Sequence, residues 1–482
     1  MSLKRDLAKG TFYLAVSKYS GIFVSLGVTA VLSRILTPED YGVVAIAFVF
    51  ITFFNILSDI GIGPAIIQNK ELTKEDINNI FSYTVYSGIV LGIIFYFCSG
   101  LIAKFYEENQ LIDICKLLCI SIIFYCINIV PTNLLYKEKR FKYVSYSSLL
   151  VQILLGGLSI FAAYSKFGLY SLLISPILSP LFLFLVYNHH TKLVFKVNCK
   201  FESLKKILSF SVYQFLFNLV NYFSRNADKL LLGKYVGLAP LGQYEKSYRL
   251  MMLPLQNITF VITPVMHPVF SEFQHNMHIL GSKYCKVINT LAYLAFPLSA
   301  LLYYIAEPLI ILFFGNQWHA AVLPFQILSF SVGVQIITST TGSIFQASNS
   351  TKQLFYTGLT VALIMITSFI IAACVYRSII AMAYAFLIAK CLDMVISFYS
   401  LMRTINYPIK QVVYSLTRPV IIGCLTFISL GLFNRYVKGE SIYISLVIKT
   451  IIWFIISILL CETIGEVKPI KIIRQLIHNR FS

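Results

Sequence analysis

Charged residues are scarce in this sequence of 482 residues, and acidic residues are scarcer than basic ones. Asp, Glu, Lys and Arg make up 12% of the chain, whereas 58% is hydrophobic and 15% is aromatic. Soluble domains carry about 25% charged residues, so this chain has too few to cover a water-soluble surface. Because about 20 apolar residues cross a bilayer once, the sequence has room for many transmembrane helices and for no separate soluble domain.

Motifs for nucleotide hydrolysis, metal binding and nucleophilic catalysis are also missing. The sequence has no P-loop, no HExxH and no CxxC pair. Most of the ten cysteines, including Cys98, Cys126 and Cys374, lie in apolar stretches, where we expect them to pack as small hydrophobic residues. We therefore expect no cofactor, no metal site and no enzymatic activity.

What the sequence does contain is a series of long apolar segments. They predict an all-α polytopic membrane protein with about 14 transmembrane helices. The first segment is too long for a signal peptide and has no small-residue cleavage site, so we expect it to be the first membrane helix. The segments are residues 11–33, 41–67, 78–103, 111–135, 143–164, 168–188, 207–232, 242–270, 286–314, 320–347, 353–375, 378–402, 412–433 and 441–463.

Basic residues are concentrated in the loops that would lie on one side of the membrane. Cytoplasmic loops carry an excess of Lys and Arg, so this asymmetry places both termini in the cytoplasm and predicts an even number of helices. The net charge of +19 is distributed between apolar segments rather than on a solvated face, and we expect no nucleic-acid partner. The two most basic loops hold Lys137, Lys139, Arg140 and Lys142, and then Lys192, Lys196, Lys200, Lys205 and Lys206.

The second of these loops lies near the middle of the first twelve segments, where an internal repeat would place its linker. One constant shift aligns Arg34 with Lys234 and Gly42 with Gly242, and at a similar shift LIAKFYEENQ at 101–110 resembles LIILFFGNQW at 309–318. Both aligned cations are expected to reach the membrane interface rather than a ligand. Two six-helix lobes in the same orientation fit this pattern, which is typical of transporters. The predicted divisions are an N-lobe at 1–190, a basic linker at 191–206, a C-lobe at 207–404, two further helices within 405–465 and a cytoplasmic tail at 466–482.

Polar and charged side chains inside the apolar segments are expected to mark the transport route, because a charge near the bilayer centre is costly. In segment 207–232 they recur every three to four residues and so form one stripe of a helix. Cationic groups suit a phosphate ligand, and amides suit sugar hydroxyls. The candidate binding residues of the cavity are Lys18, Asn218, Asn221, Arg225, Lys229, Arg249, Gln256 and Gln335. The candidates for counter-charges or ion coupling are Asp59, Asp228, Glu245, Lys390 and Asp393.

Several of these candidates have a structural alternative. Glu245 with Arg249, and Lys390 with Asp393, have the spacing of ion pairs within one helix, and a purely structural pair is equally compatible with it. Lys229 could extend to the outer interface instead of contacting a ligand.

Three stretches of the sequence resemble one known family. They are LSRILTPEDYGVVAIA at 32–47, SDIGIGPAIIQ at 58–68 and NADKLLLGKYVGLAPLGQYEKSYRLMMLPLQNIT at 226–259. They are similar to bacterial polysaccharide transporters, the Wzx-type lipid-linked oligosaccharide flippases of the multidrug, oligosaccharidyl-lipid and polysaccharide exporter superfamily. The resemblance covers at least positions 1–400 of the chain.

The resemblance implies both a fold and a function. It implies two six-helix lobes in a V around a central cavity, with two C-terminal helices added, in a bacterial cytoplasmic membrane. It also implies that undecaprenyl-pyrophosphate-linked repeat units move to the outer leaflet by alternating access, for O-antigen, capsule or exopolysaccharide synthesis. By position, it places Lys18, Arg225 and Asp228 where family members can have cavity charges. The implied partners are the lipid-linked glycan, membrane lipids, a glycan polymerase and other assembly proteins.

Two kinds of alternative function stay open at this point. The same fold could serve a multidrug or organic-ion antiporter, or the lipid II flippase of cell-wall synthesis. From a different class, a membrane glycan polymerase or ligase would need a sizeable outer loop to hold its catalytic groups.

Overall fold

The structure is a computed structural model that describes residues 3–58, 61–197, 212–436 and 442–468. This part of the chain is helical with short connections, and it contains no β-strand. The predicted all-α fold class is confirmed. The chain divides into two compact units, residues 1–242 and 243–482. The V-shaped arrangement of two six-helix lobes stays a prediction.

The first unit contains eight α-helices and the start of a ninth. A short 3₁₀ helix at Gly168–Leu172 precedes the seventh of them. The helices are α1 (Leu3–Ile35), α2 (Pro38–Ser58), α3 (Ile62–Gln68), α4 (Lys74–Tyr106), α5 (Gln110–Lys137), α6 (Phe141–Tyr164), α7 (Ile174–Thr191), α8 (Val212–Tyr235) and α9 (Leu238–Ser271).

The second unit contains the rest of α9 and eight further α-helices. A 3₁₀ helix at Asn316–Ala321 and a π-helical turn at Ala372–Tyr376 complete it. The helices are α10 (Met277–Tyr304), α11 (Ala306–Phe314), α12 (Val322–Thr338), α13 (Thr341–Ala347), α14 (Thr351–Ile371), α15 (Ile379–Thr404), α16 (Ile409–Tyr436) and α17 (Ile442–Thr463).

Every predicted apolar segment overlaps a helix, but not every helix is apolar enough to count as a membrane span. Among the described residues, 12 spans are long and apolar enough to cross a membrane, and α8 and α9 are not among them. These two helices correspond to the segments in which the sequence analysis found most of the polar side chains. The predicted count of 14 crossings therefore stays a prediction.

The sequence specifies the starts of two of these helices through the same local arrangement. At α2, the Asp40 carboxylate accepts from the backbone N–H of Thr37 at 2.8 Å, and the Thr37 hydroxyl accepts from the N–H of Asp40 at 3.2 Å. At α4, Thr73 and Asp76 form the equivalent pair of hydrogen bonds. These capping boxes satisfy N–H groups that have no partner within the helix, and so fix where each helix begins.

Three predicted segments are interrupted rather than continuous. In the predicted segment 41–67, the helix is interrupted before α3 at Gly61. The φ of Gly61 is 77°, and a residue with this left-handed conformation cannot continue a helix. The chain also breaks at Ile305 between α10 and α11, and again just before α13. At this last break the buried hydroxyls of Tyr284 and Thr340 are 2.9 Å apart.

Helices α2 and α9 cross at a pair of glycines within the first unit. A Cβ atom added to Gly42 would lie 1.9 Å from the carbonyl oxygen of Leu238, and one added to Gly242 would lie 1.9 Å from that of Pro38. The contact is reciprocal, and only residues without a side chain permit the two backbones to approach this closely. The two glycines are those that the internal repeat aligns.

The chain that follows α7 is extended and lies along a polar face of α4. The backbone N–H of Val194 donates to Asn78 Oδ1 at 3.2 Å, and that of Lys196 donates to Ser82 Oγ at 2.8 Å. The start of the predicted basic linker is therefore attached to α4. The rest of that linker lies outside the described residues.

The last helix, α17, donates two hydrogen bonds to the backbone of α10. Lys449 Nζ donates to the carbonyl of Tyr304 at 3.1 Å, and Trp453 Nε1 donates to the carbonyl of Pro297 at 2.8 Å. Tyr304 is the last residue of α10, where a carbonyl group has no partner within the helix, so Lys449 satisfies a carbonyl at the helix end. The C-terminal pair of helices is thus part of the second unit's hydrogen bonding.

Candidate functional site

The polar stripe predicted on the seventh segment lies along one face of α8. Asn221 and Arg225 are exposed, whereas Asp228, less than one turn further on, is completely buried. Lys229 is half-buried, and its backbone N–H donates to Asp228 Oδ1 at 2.8 Å. At 100° per residue the first three lie within about 60° of one another, so the face is open at the arginine and closed at the aspartate.

The structure does not describe the side chains of two candidates. The side chain of Asn218 and the whole of Asp59 lie outside the described residues. Their assignment to binding and to ion coupling stays a prediction.

Lys18 is half-buried on α1, next to the face that packs on α6. Ser17, its neighbour in sequence, donates to the carbonyl of Ser145 at 2.9 Å, and Gln152 Nε2 donates to the carbonyl of Gly21 at 2.8 Å. These bonds hold α1 against α6 on either side of the lysine. Lys18 therefore occupies a defined edge of the α1–α6 pair.

The second unit contributes the predicted residues of α9. Glu245 and Arg249 are half-buried one turn apart, and Gln256 is exposed. Together they lie on a single face of the helix at 100° per residue.

Gln335 belongs to the contact between α12 and α9. Its Nε2 donates to Ser331 Oγ at 3.0 Å and lies 3.6 Å from the sulfur of Met251. In this structure the amide is thus used in packing, and ligand binding by Gln335 stays a prediction.

The two predicted charges of α15 form an ion pair. Lys390 Nζ lies 3.3 Å from Asp393 Oδ2, and Ser397 donates to Asp393 Oδ1 at 2.9 Å. The side chains of the two charged residues are 18% and 17% exposed. The geometry agrees with the structural alternative, and a role in ion coupling stays a prediction.

Two buried lysines lie outside the residues predicted from the sequence. Lys246, which is 1% exposed, lies with its Nζ 4.7 Å from the ring centroids of both Phe314 and Trp318. Lys449, which is 9% exposed, donates to the backbone of α10 as described above. The chain has two tryptophans, and this rarity was the sequence feature that could have drawn attention to Trp318 and so to Lys246.

An ion pair between a half-buried lysine and an exposed glutamate joins α4 to α8 where both helices end. Lys234 Nζ lies 2.8 Å from Glu107 Oε1, and this hydrogen bond and the positive charge lower the pKa of the Glu107 carboxyl. The pair lies where the helices give way to loops, which agrees with the expected interfacial position of Lys234. No group of three or more His, Cys, Asp or Glu that could hold a metal ion occurs among the residues whose positions are described.

Comparison with known proteins identifies the family. A family model described as "Polysaccharide biosynthesis protein" matches residues 31–323, which is more than half of the chain. The chain belongs to this family. The match confirms the predicted family and includes every predicted site residue except Gln335, Lys390, Asp393 and Lys18.

Relatives of this polysaccharide biosynthesis protein are found in distant bacteria. The chain is 23% identical to the Bacillus subtilis (strain 168) teichuronic acid biosynthesis protein TuaB, over 87% of each chain. It is 20% identical to the Escherichia coli (strain K12) lipopolysaccharide biosynthesis protein WzxC, over 91% of this chain and 90% of that one. One relative is named for the biosynthesis of teichuronic acid and the other for that of lipopolysaccharide.

A solved structure shows the fold. The lipid II flippase MurJ in an inward closed conformation superimposes with a TM-score of 0.74 and 16% identity, over 93% of this chain and 98% of that chain. The polysaccharide biosynthesis protein therefore has a fold found in membrane flippases, and it is a multi-pass bacterial membrane protein.

Proposed function

We propose that this protein is a flippase that moves undecaprenyl-pyrophosphate-linked oligosaccharide repeat units from the cytoplasmic to the outer leaflet, for synthesis of a surface polysaccharide. Membership of the polysaccharide biosynthesis family, joined to a flippase fold, carries the proposal. The relatives named for teichuronic acid and lipopolysaccharide synthesis support the same class of product.

The chemistry of the polar helix faces fits such a cargo. Arg225 is exposed on α8, where a guanidinium group can donate two parallel hydrogen bonds to phosphate oxygens. Lys18 and Arg249 add cationic groups on α1 and α9. Exposed amides such as Asn221 and Gln256 can exchange hydrogen bonds with sugar hydroxyls.

We place the protein in the bacterial inner membrane with both termini in the cytoplasm, as the distribution of lysine and arginine favours. Alternating access would expose the polar faces first to the cytoplasmic leaflet and then to the outer leaflet. Because the sequence has no P-loop, we propose that an ion gradient, the membrane potential or downstream consumption of the glycan drives the cycle. The partners would be the lipid-linked glycan, membrane lipids, a glycan polymerase and other assembly proteins.

We propose transport without enzymatic activity and without a cofactor. The connections from α1 to α2, from α4 to α5 and from α8 to α9, which would face outward, contain two or three residues each. A polymerase or ligase would need more chain there to hold an acceptor and catalytic groups.

A change of cargo within the same fold is the second candidate. Export of organic cations would require polar faces that are net acidic, whereas the faces of α1 and α8 carry Lys18, Arg225 and Lys229. Lipid II is also a pyrophosphate-linked glycan, and the same cationic residues would suit it. Only identification of the accumulated cargo distinguishes a lipid II flippase from the proposed one.

The decisive experiment locates the lipid-linked oligosaccharide after deletion of the gene, in cells whose later assembly steps are intact. A membrane-impermeant sugar probe on oriented vesicles should find complete repeat units on the cytoplasmic face, and the wild-type chain should relieve their accumulation. Arg225→Ala should abolish this relief at normal protein abundance, because an exposed side chain can be truncated with a change in stability of about 0.5 kcal/mol or less.

The matched control is Arg435→Ala, an exposed arginine in the last turn of α16. It should export normally. Accumulation on the outer face would instead favour a polymerase or ligase. Unchanged repeat units with normal surface glycan would reject this cargo, and accumulated lipid II would move the assignment to cell-wall synthesis.

A further inference from the structure

The two halves of the chain share helix boundaries as well as residues. The first turn between helices separates Ile35 from Pro38, and the turn between α8 and α9 separates Tyr235 from Leu238, so the shift that aligns Gly42 with Gly242 aligns these turns too. Positions on α2 can therefore be compared with positions on α9 by number. The helices α4 and α11 likewise end at equivalent positions, Tyr106 and Phe314, of the two stretches that resemble each other in sequence.

This comparison pairs a buried isoleucine with a buried lysine. Ile46, which is 0% exposed, lies on α2, and its side chain and the ring of Tyr106 both approach Gly233. The equivalent residue on α9 is Lys246, and the equivalent aromatic ring is that of Phe314. The same kind of position beside an aromatic ring is thus apolar in one half and cationic in the other.

Two residues beside the lysine form a docking face on α9. Gln243 Nε2 donates to the carbonyl of Gln317 at 2.8 Å, and Ser247 Oγ donates to the carbonyl of Ala321 at 2.7 Å. At 100° per residue Lys246 lies about 80° from the middle of this face, and its ammonium group contacts the rings of Phe314 and Trp318 in the same part of the chain. All three side chains therefore attach α9 to the chain that runs from the end of α11 to the start of α12.

The opposite side of α9 carries the candidate cargo residues. At 100° per residue, Glu245, Arg249 and Gln256 lie roughly 180° from the docking face centred on Gln243 and Ser247. The burial pattern agrees, because the two docking residues are buried and the three candidates are half-buried or exposed. The docking face thus determines the direction in which the candidate residues are presented.

Stability alone does not explain a lysine at this place. Burying an ammonium group is costly, whereas isoleucine fills the equivalent site of the first half without that cost. An ammonium group is, however, attracted to the faces of the two rings, so it favours one orientation of the side chain against them. An isoleucine side chain has no such directional preference.

We propose that Lys246 is a positioning residue for transport, whose ammonium group between the rings of Phe314 and Trp318 fixes the rotation of α9 about its axis and so directs its polar face. This inference rests on the proposed flippase function. The residue is not assigned to cargo contact, because its side chain is 1% exposed and its ammonium group lies against the two rings.

The test replaces Lys246 by the residue of the first half, Lys246→Ile, and by Met and Arg. Uptake of lipid-linked oligosaccharide is then measured in proteoliposomes that contain the full-length protein, together with the melting temperature. Loss of a cation–π contact corresponds to about a tenfold loss of rate, so the Ile and Met variants should lose about this much kcat/KM, mainly through a higher KM. Their melting temperatures should equal or exceed that of the wild type. Lys246→Arg, which retains the cation, should restore transport.

Two further variants complete the design. Trp318→Leu removes one of the two rings that the ammonium group contacts and should cause part of the loss. Adding it to Lys246→Met should cause little further loss, because the contact is already absent in that variant. Ile46→Met, at the equivalent apolar position of the first half, should transport normally.

The outcomes separate this inference from the proposed function. Inactivity of the wild-type chain would overturn both. An active wild type with an equally active Lys246→Ile variant would overturn the inference alone, as would a fall in melting temperature that accompanies the loss or a failure of arginine to restore transport.

Discussion

Charged side chains on the long helices differ in how their charge is accommodated. Lys390 and Asp393 neutralise each other within one helix, Lys246 lies against two aromatic rings, and Arg225 is exposed. Only an exposed group is available to a cargo in this structure. The physical setting therefore distinguishes residues that sequence spacing alone places in one class.

The ion pair on α15 gives a prediction at this scale. Lys390→Met should destabilise the protein by about 3 kcal/mol, because it leaves Asp393 as an uncompensated and largely buried charge. The double variant Lys390→Met with Asp393→Leu should be close to the wild type in stability. Thermal unfolding in lipid nanodiscs measures both.

The control for this pair is Lys352→Met, since Lys352 is exposed at the start of α14. It should change the melting temperature little. Equal destabilisation by the single and double variants of α15 would show that the two side chains act separately rather than as a pair.

At the scale of elements, the reciprocal crossing of α2 with the start of α9 gives a second prediction. Gly42→Ala should destabilise the protein by about 1–3 kcal/mol, because its methyl group would meet the carbonyl of Leu238 and force the backbones apart. Gly157→Ala on α6 is the matched control, since a Cβ there meets nothing within 4 Å. The control should be neutral or stabilising by up to about 1 kcal/mol, the difference in helix propensity. The melting temperature and the membrane abundance of the two variants test this prediction. Equal values for Gly42→Ala and Gly157→Ala would contradict the proposed crowding at the crossing.

The sequence could predict those elements that are specified by interactions between residues close together in the chain. Hydrophobic runs are local, so every predicted segment overlaps a helix, although α1 and α10 begin at Leu3 and Met277 rather than at the predicted 11 and 286. The repeat aligned Gly42 with Gly242 but did not predict that they lie at one helix crossing. The break at Gly61 depends on the conformation of one residue, and the burial of Lys246 depends on rings that lie beyond the next helix in the chain. Neither could be obtained from periodicity. The stripe on α8 was predicted as a face, but its division into an exposed Arg225 and a buried Asp228 required the packing of the neighbouring helices.

At the scale of the whole molecule, the family and the fold class were predicted correctly from three sequence stretches and the composition. The count of 14 crossings stays a prediction, because α8 and α9, which would complete it, are not among the 12 described helical spans that are apolar enough to cross a membrane. The division into two lobes also stays a prediction. Membrane topology is therefore the property that most needs an experiment.

Two loop lysines make a matched pair for this purpose. Lys139 and Lys166 are both exposed, and both have a left-handed backbone with φ of 59° and 65°. Starting from a variant whose ten native cysteines are replaced, a membrane-impermeant maleimide applied to intact spheroplasts should label Lys166→Cys. It should label Lys139→Cys only after lysis, because basic loops face the cytoplasm. Labelling of both in intact spheroplasts, or the reverse order, would contradict the proposed orientation.

The bonds from α17 to α10 have a consequence for the order of synthesis. Their donors follow their acceptors by 145 and 156 residues. At a translation rate of roughly 5–20 residues per second, α10 waits roughly 7–30 s for these donors. The second unit thus reaches its final form only when the last helix has left the ribosome. A chain that ends before α17 therefore leaves the carbonyl of Tyr304, at the end of α10, without this donor.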